Sequence, residues 1–313
     1  MVKYFDFEKN IENIDIKITE LLNLNTIDST NKINQFNIEK KSLYKKIYSN
    51  LNAWQKVQIA RHPERPHCIN YISTIFDNFI KLAGDKKYGE DEAIIAGIGK
   101  IKNKSFVIIG NEKGNTMETR IKHNFGMSKP EGYRKAQRLM YLAEKFNLPI
   151  ITFIDTAGAF PGKDAEERGQ SESIASSIAT SLKVKTPIIS IIIGEGGSGG
   201  AIALATADKV LMLENSIYSV ISPEGCSSIL WRSSEFVLQA AESLKLTADN
   251  CLKFGIIDEI IDEISGGAHR FINEQIEIVK NSILKNYDAL KNIPLEQLVF
   301  ERNEKYLNIT LNN

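Results

Sequence analysis

The chain has no charge of one sign to spare. Its 39 Lys and Arg offset 39 Asp and Glu, so it lacks the basic field that would hold nucleic acid. It has only three cysteines, Cys68, Cys226 and Cys251, far apart and without a C-x-x-C spacing. That excludes a disulfide framework and a cysteine-built metal site, and suits a reducing compartment, so a cytoplasmic protein is expected. Long apolar runs are also missing, none near the ~20 residues that a bilayer requires. The first residues, MVKYFDFEKNIENID, are acidic and have no uninterrupted apolar core, unlike a secretory leader or an Arg-rich transit peptide. No internal repeat or low-complexity linker is present. What remains is an ordinary globular composition, 42% hydrophobic and 25% charged, in 313 residues. Such a chain can bury one large core or two modest ones.

The richest pattern lies at Pro187–Gly200, PIISIIIGEGGSGG. The apolar run from Ile188 to Ile193 predicts a fully buried strand. It leads into a glycine-rich turn, Gly194-Glu195-Gly196-Gly197-Ser198-Gly199-Gly200, and then a small, Ala-rich helix. Glycines between a buried strand and a helix leave backbone N–H groups bare, and such groups favour negative charge. An oxyanion hole can be built this way from main chain alone. The pattern therefore points first to an enzyme that stabilises an enolate or a similar oxyanion. A second copy, strand Ile150–Asp155 followed by Thr156-Ala157-Gly158-Ala159-Phe160-Pro161-Gly162, precedes it. Neighbouring parallel strands would bring both loops to one sheet edge, where ligands bind in α/β folds.

Two zones flank or contain these motifs. From Phe5 to about Arg61 the chain reads as helical, with an amphipathic stripe Leu43, Ile47, Leu51, Trp54, Val57 after a polar loop near Ser29-Thr30-Asn31. Residues 1–61 are expected to form an arm, either a cap on the chain's own core or a surface for a partner. The prolines of His62-Pro63-Glu64-Arg65-Pro66 close it, and residues 62–313 form the second unit. There, Ala93–Ile101 and Ser105–Gly110 predict a hairpin, and Tyr133–Phe146 a helix. Ala165–Leu182 reads as a helix with Glu166 and Glu167 in its first turn. Lys209–Leu213, Ile217–Ile221 and Gly255–Ile261 read as strands. Ser222–Trp231 reads as a helix capped by Ser with Pro at its first position. Beyond Gly266-Gly267, two helical segments run to Asn313.

Several segments in one order resemble the carboxyltransferase alpha subunits of multi-subunit acetyl-CoA carboxylases. They are WQKVQIARHPERPH, GNEKGNTMETRIKHNFGM, PEGYRKAQRLMYLAEKF, ITFIDTAGAFPG, AEERGQSESIA, IIGEGGSGGAIAL, YSVISPEGCSSILW and the later GGAHR. The resemblance covers nearly the whole chain, most weakly in residues 1–50 and after His269. It implies an α/β fold, the crotonase-like ββα superhelix, with the helical extension at the N-terminus. It also implies an α2β2 assembly with a separate beta subunit. That assembly transfers the carboxyl group from N1-carboxybiotin, borne by a biotin carboxyl carrier protein, to acetyl-CoA, giving malonyl-CoA for fatty acid synthesis. No cofactor is then bound covalently to this chain. ATP is used by the partner biotin carboxylase, and zinc belongs to the beta subunit. By the same resemblance the N–H groups of Gly199 and Gly200 face the biotin oxygen, each such donor being worth ~2.7–4 kcal/mol of barrier. Gly158 and Ala159, with Gly196 and Gly197, fall beside the biotin pocket, and Lys113 and Arg120 are candidates for CoA phosphates. The chain departs from the family pattern at Ala157 (family Pro), Phe160 (family Tyr), Asn115 (family Arg) and Lys163-Asp164 (family Val-Gly).

Blander readings compete at several residues. Gly196-Gly197-Ser198-Gly199-Gly200 also satisfies the G-x-S-x-G of a hydrolase elbow, with Asp258 or Asp262 and His269 following in hydrolase order. A non-catalytic carboxylase scaffold is a third reading. Glu195 and Ser198 are expected to cap the helix. His62, His67 and His123 read as surface or hydrogen-bonded residues, and Lys113, Arg120 and Lys122 as a solvated basic face. Arg168 is expected to pair with Glu166 or Glu167.

Overall fold

The structure, a computed structural model, describes residues 3–24 and 27–309. Two long helices come first, α1 (Lys9–Leu24) and α2 (Ile27–Tyr48), then α3 (Ala53–Ala60) and α4 (Cys68–Ile75). The sheet begins with β1 (Asp77–Lys81), β2 (Ile94–Ile101) and β3 (Lys104–Asn111). Helices α5 (Met117–Lys122) and α6 (Pro130–Lys145) lead to β4 (Ile150–Thr156). Next come α7 (Lys163–Glu167), α8 (Gln170–Lys183), β5 (Ile188–Gly197), α9 (Ser198–Ala205), β6 (Lys209–Leu213) and β7 (Ile217–Ser219). The rest is α10 (Pro223–Trp231), α11 (Val237–Ser243), α12 (Ala248–Lys253), β8 (Glu259–Ile261), α13 (Ile272–Leu290) and α14 (Leu295–Asn308).

The strands form one mixed sheet in the order β1-β2-β3-β4-β5-β6-β8, with β7 paired to the end of β5. β2 and β3 are the antiparallel hairpin, closed at Ile101↔Lys104, and the strands from β3 through β8 pair in parallel. Helices cover both faces, so alternate side chains of one strand enter different cores. From β5, Ile188 and Ile192 pack with Tyr133, Leu139 and Ala201. Ile189, Ile191 and Ile193 pack instead with Tyr71, Phe153 and Val279. A strand buried on both faces reads as an unbroken apolar run, as this one does.

Several boundaries differ from expectation. The stripe Leu43–Val57 is split between α2 and α3, because Asn52 accepts the Gln55 N–H and restarts the helix there. Ser29, Thr30 and Asn31 lie inside α2, not in a loop. The helix expected over Ala165–Leu182 is broken by Gly169 at φ +81°, which leaves Glu166 and Glu167 in the separate short α7. Gly255, at φ +68°, follows the end of α12, so the last strand starts only at Glu259. The C-terminal positions 310–313 of the expected helical tail lie outside the described residues. Among the described residues no helix is long and apolar enough to cross a membrane.

The arm is fastened to the late part of the chain. Glu8, fully buried, accepts the Tyr48 hydroxyl at 2.7 Å and pairs with Arg270 at 2.9 Å. Beside it the His62 and His269 rings stack with centroids 4.0 Å apart, both buried, and His62 is the hydrogen-bonded one of its two expected readings, Nε2 lying 3.1 Å from the Lys3 carbonyl. Burial, then the neighbouring His62, Arg270 and Arg65, press the His269 imidazole far below its ordinary value, and burial lowers His62 as well. His269 thus stays neutral in the folded chain where the unfolded chain protonates it, below pH ~6.5, and His62 is shifted in the same direction. Their contribution is therefore complete above that pH and is lost as pH falls, by up to ~1.4 kcal/mol per pH unit for each ring. Thermal unfolding at pH 7.5 and 5.5 should show this loss, and His269→Gln should flatten the slope. An identical slope in the variant would contradict the assignment.

Candidate functional site

The C-terminal ends of β4 and β5 meet where their ladder breaks. Ile154 pairs with Ile192 and Thr156 with Gly196, so two steps on β4 oppose four on β5. The Asp155 carboxylate enters this bulge and accepts the Glu195 N–H at 3.0 Å. It fits because residue 194 is glycine: a Cβ there would lie 2.9 Å from the Asp155 carboxyl carbon. Past the bulge β5 does not turn. Glu195–Gly197 pair with Ile217–Ser219 of β7, and α9 starts directly at Ser198. The predicted glycine turn is thus strand followed by helix.

Starting α9 at Ser198 puts Ser198, Gly199 and Gly200 in its first turn, where backbone N–H groups have no partner within the helix. The helix dipole adds positive character at that end. Ser198 is held at φ +52° and exposed, a conformation that a non-glycine residue adopts only when its surroundings enforce it. Gly200 lies against the other loop, where a Cβ would come 2.5 Å from the Gly158 carbonyl carbon and 2.7 Å from the Ala159 nitrogen. Gly197 is similarly closed, by the Ala157 carbonyl. At Gly199 a Cβ would meet only Ile174, at 3.5 Å. Close backbone approach within the fold therefore requires glycine at 200, whereas at 199 glycine leaves room beside Ile174. The Thr156 hydroxyl shapes the opposing loop, accepting the Gly158 N–H and donating to the Gly158 carbonyl at 2.7 Å.

These elements border an open cleft of 650 Å³ lined by Arg61, Gly158, Ala159, Phe160, Ile174, Ser198 and Glu224, among others. That is within the ~300–1,000 Å³ typical of small-molecule pockets. Gly196 and Gly197 face a smaller hollow beside it with Arg61 and Ala157. A larger cavity of 960 Å³ lies between the arm and His269–Ile272, lined by Lys40, Tyr44 and Asn115 among others. It contains none of the α9 donors, so the chemistry selects the smaller cleft.

A buried ionic chain runs behind the cleft. Lys113 Nζ lies 2.8 Å from Asp155 Oδ1 and 2.7 Å from Glu195 Oε2. Glu195 Oε1 accepts Arg61 Nε at 2.6 Å, and Arg61 Nη1 reaches Glu224 at 2.6 Å. His67 Nδ1 closes the other end, 3.4 Å from Asp155 Oδ2. Burial would raise the Asp155 and Glu195 carboxyls, but Lys113, with His67 or Arg61, holds both below the usual range. Burial would lower Lys113, yet its two carboxylates raise it.

Three expectations are corrected by this geometry. Lys113 is not on a solvated basic face but inside the ionic chain, and neither it nor Arg120 lines the cleft. Arg120 Nε donates instead to the Gly114 carbonyl at 3.3 Å. Glu195 caps nothing, because Lys113 and Arg61 occupy its carboxylate, and α9 has no side-chain cap from Ser198. Arg168 pairs with Glu131 at 3.0 Å and with Asp164, not with Glu166 or Glu167. Phe160 sets its ring 4.9 Å from the Lys129 ammonium. Asp155, Gly194 and Arg61 were not singled out from the sequence. The signal for the first two was an acid and a glycine at the ends of adjacent buried strands.

The hydrolase arrangement does not form. Asp258 is engaged by the Val210 N–H and by Lys305. His269 stacks on His62 and lines the other cavity. Ser198 lines the α9 cleft without either of them.

Residues 4–310 match the family model for acetyl co-enzyme A carboxylase carboxyltransferase-like proteins. The chain is 51% identical over 312 residues to the acetyl-coenzyme A carboxylase carboxyl transferase subunit alpha of Rhodospirillum centenum, covering 98% of each. It is 52% identical over 308 residues to the protein of the same name from Paramagnetospirillum magneticum, covering 96% of each. Among solved structures it is similar to transcarboxylase 12S with methylmalonyl-coenzyme A and methylmalonic acid bound (TM-score 0.54, 18% identity, 67% of this chain and 40% of that one). It is also similar to the beta subunit of P. aeruginosa geranyl-CoA carboxylase (TM-score 0.53, 17% identity, 73% and 45%). The chain spans less than half the length of these two solved chains, and at such identities the likeness is one of fold.

Proposed function

Because the chain belongs to the acetyl co-enzyme A carboxylase carboxyltransferase-like family, as an alpha-type subunit with the crotonase-like α/β fold, we propose that the α9 cleft is its biotin site. The chain is a transferase of biotin-dependent carboxyl transfer, the reaction that makes malonyl-CoA for fatty acid synthesis. It works within a multi-subunit carboxylase. Our reading of that assembly is an α2β2 complex with a beta subunit, served by a biotin carboxyl carrier protein and a biotin carboxylase. ATP is then spent by the carboxylase, and zinc and the principal acetyl-CoA contacts belong to beta.

One observation carries the assignment: the start of α9 at Ser198, with Gly199 and Gly200 completing its first turn, stands at a cleft that Ser198, Gly158, Ala159 and Ile174 line, and Gly200 packs directly on the Gly158-Ala159 backbone. The donor set fits a ureido oxygen, which is a neutral acceptor that gains negative charge when its carboxyl group departs. Biotin supplies the activated carboxyl group as the substrate presented by its carrier. The rest is the work of this chain's residues. The Gly199 and Gly200 N–H groups hold the ureido oxygen, and the α9 dipole stabilises the charge that develops there. Ile174 and Phe160 provide apolar wall and keep water from the reacting carboxyl. No side chain of this chain is required as a general base in this reading.

The test is the reverse reaction, malonyl-CoA with free biotin, catalysed by this chain alone and by a mixture with its beta subunit. Activity is expected only in the mixture. Activity of the chain alone would overturn the shared site, and a stable but inactive complex would favour a scaffold.

A further inference from the structure

We infer that Asp155, Lys113 and Glu195 are positioning residues that aim the α9 donors, an inference that rests on the biotin reading of the cleft. None of the three lines the cleft of Ser198, Gly158 and Ala159. Each instead occupies the end of an adjacent parallel strand or the loop just beyond it: Asp155 on β4, Glu195 on β5, and Lys113 two residues past β3. Asp155 and Glu195 each lie three residues before Gly158 and Ser198, and Lys113 ties their side chains together.

The bulge makes this more than packing. Between Ile192 and Gly196 the β4–β5 ladder is interrupted, so β5 alone does not fix where α9 begins. The Asp155 carboxylate replaces the missing ladder partner by accepting the Glu195 N–H. The Glu195 side chain then returns to Lys113, which also holds Asp155, so both strands are clamped by one ammonium. Beyond the clamp, Gly196 and Gly197 run on extended in pairing with β7, and Ser198 stands at φ +52°. A positive φ at a serine, next to a helix with no side-chain cap, means that the preceding strand dictates the direction of the first turn. The clamp sets that direction. Arg61, held by Glu195 and Glu224, links the same clamp to the rim of the cleft.

Three variants test this in the assembled complex. Asp155→Ala removes the bulge acceptor, whereas Asp155→Asn keeps an oxygen for the Glu195 N–H. The double variant Lys113→Met with Asp155→Leu removes a buried opposite-charge pair together at similar volume, while Glu195 keeps Arg61 as its partner, an exchange that proteins commonly tolerate or that stabilises them. Misaimed oxyanion donors cost about 10²-fold in kcat. Asp155→Ala and the double variant should therefore lose about 10²-fold in kcat with KM for the CoA thioester unchanged and the complex still assembled. Asp155→Asn should recover to within about tenfold of wild type. A double variant that assembles, unfolds at the wild-type temperature and keeps wild-type kcat would overturn the inference. So would activity that falls only in proportion to the folded fraction. Should the wild-type complex itself fail to transfer carboxyl groups, the biotin reading falls, and this inference with it.

Discussion

Gly199→Val should give a folded, assembled protein whose carboxyl transfer is lowered by at least about 10²–10³-fold. The reason is a separation of steric roles between adjacent glycines. A Cβ at residue 199 meets only Ile174, at ordinary contact distance, so the fold accepts it. The branched methyls of valine, however, stand in the cleft beside the N–H groups and keep a ligand oxygen from reaching them. Gly199→Ala sharpens the test, because alanine in a helical turn is favoured over glycine by up to ~1 kcal/mol. That variant should unfold at a temperature equal to or above wild type while losing activity. Gly200→Ala should behave in the opposite way, failing in stability because its Cβ meets backbone at 2.5 Å. Measuring kcat and Tm on the three variants separates them. Wild-type turnover in Gly199→Val would remove residue 199 from the reaction.

Arg302→Ala should be among the most damaging single changes to stability, at about 3–5 kcal/mol. Arg302 is on α14, far from the chemistry, and is almost entirely buried. Its guanidinium forks onto both oxygens of Asp208 at 2.8 Å and donates to the carbonyls of Ser181, Val184 and Thr186. Asp208 in turn accepts the Ile188 N–H, the first amide of β5. Removing Arg302 leaves a buried carboxylate without its counter-charge and three carbonyls without donors. The change therefore acts on the base of the strand whose other end carries the site. Urea unfolding of the purified chain reads the loss, and Arg302→Lys, which cannot fork, should recover only part of it. A loss under 1 kcal/mol would mean that water replaces these bonds.

The sequence was most legible where pattern and burial coincide. β5 could be found because both faces of a parallel strand are covered, and α10 because Ser222 caps it with Pro223 behind. The hairpin was legible from its two β-branched runs. The end of β5 was not. Glycine runs suggest turns, and nothing local reveals that β7, 22 residues on, would keep Glu195–Gly197 extended. Lys113 was misread for a related reason. A basic residue near Arg120 and Lys122 looks solvated until the fold brings it to carboxylates 42 and 82 residues away, at Asp155 and Glu195. Long-range ion pairs leave no periodic trace. Glycine, by contrast, marked the two loops at the cleft, since Gly158 takes a positive φ and Gly200 packs on the Gly158 backbone.

The fastening of Glu8 to Arg270 also orders events in time. The arm is made first, but its buried carboxylate has no cation until a residue about 260 positions later has been added. At ~5–20 residues per second of synthesis, that delay is roughly 13–50 seconds. Throughout it the ribosome holds a nascent chain whose first two helices expose the face of Tyr44 and Tyr48 that Phe271 later closes. Maturation of this subunit therefore finishes at its beginning, and the early helices depend during translation on whatever shields them.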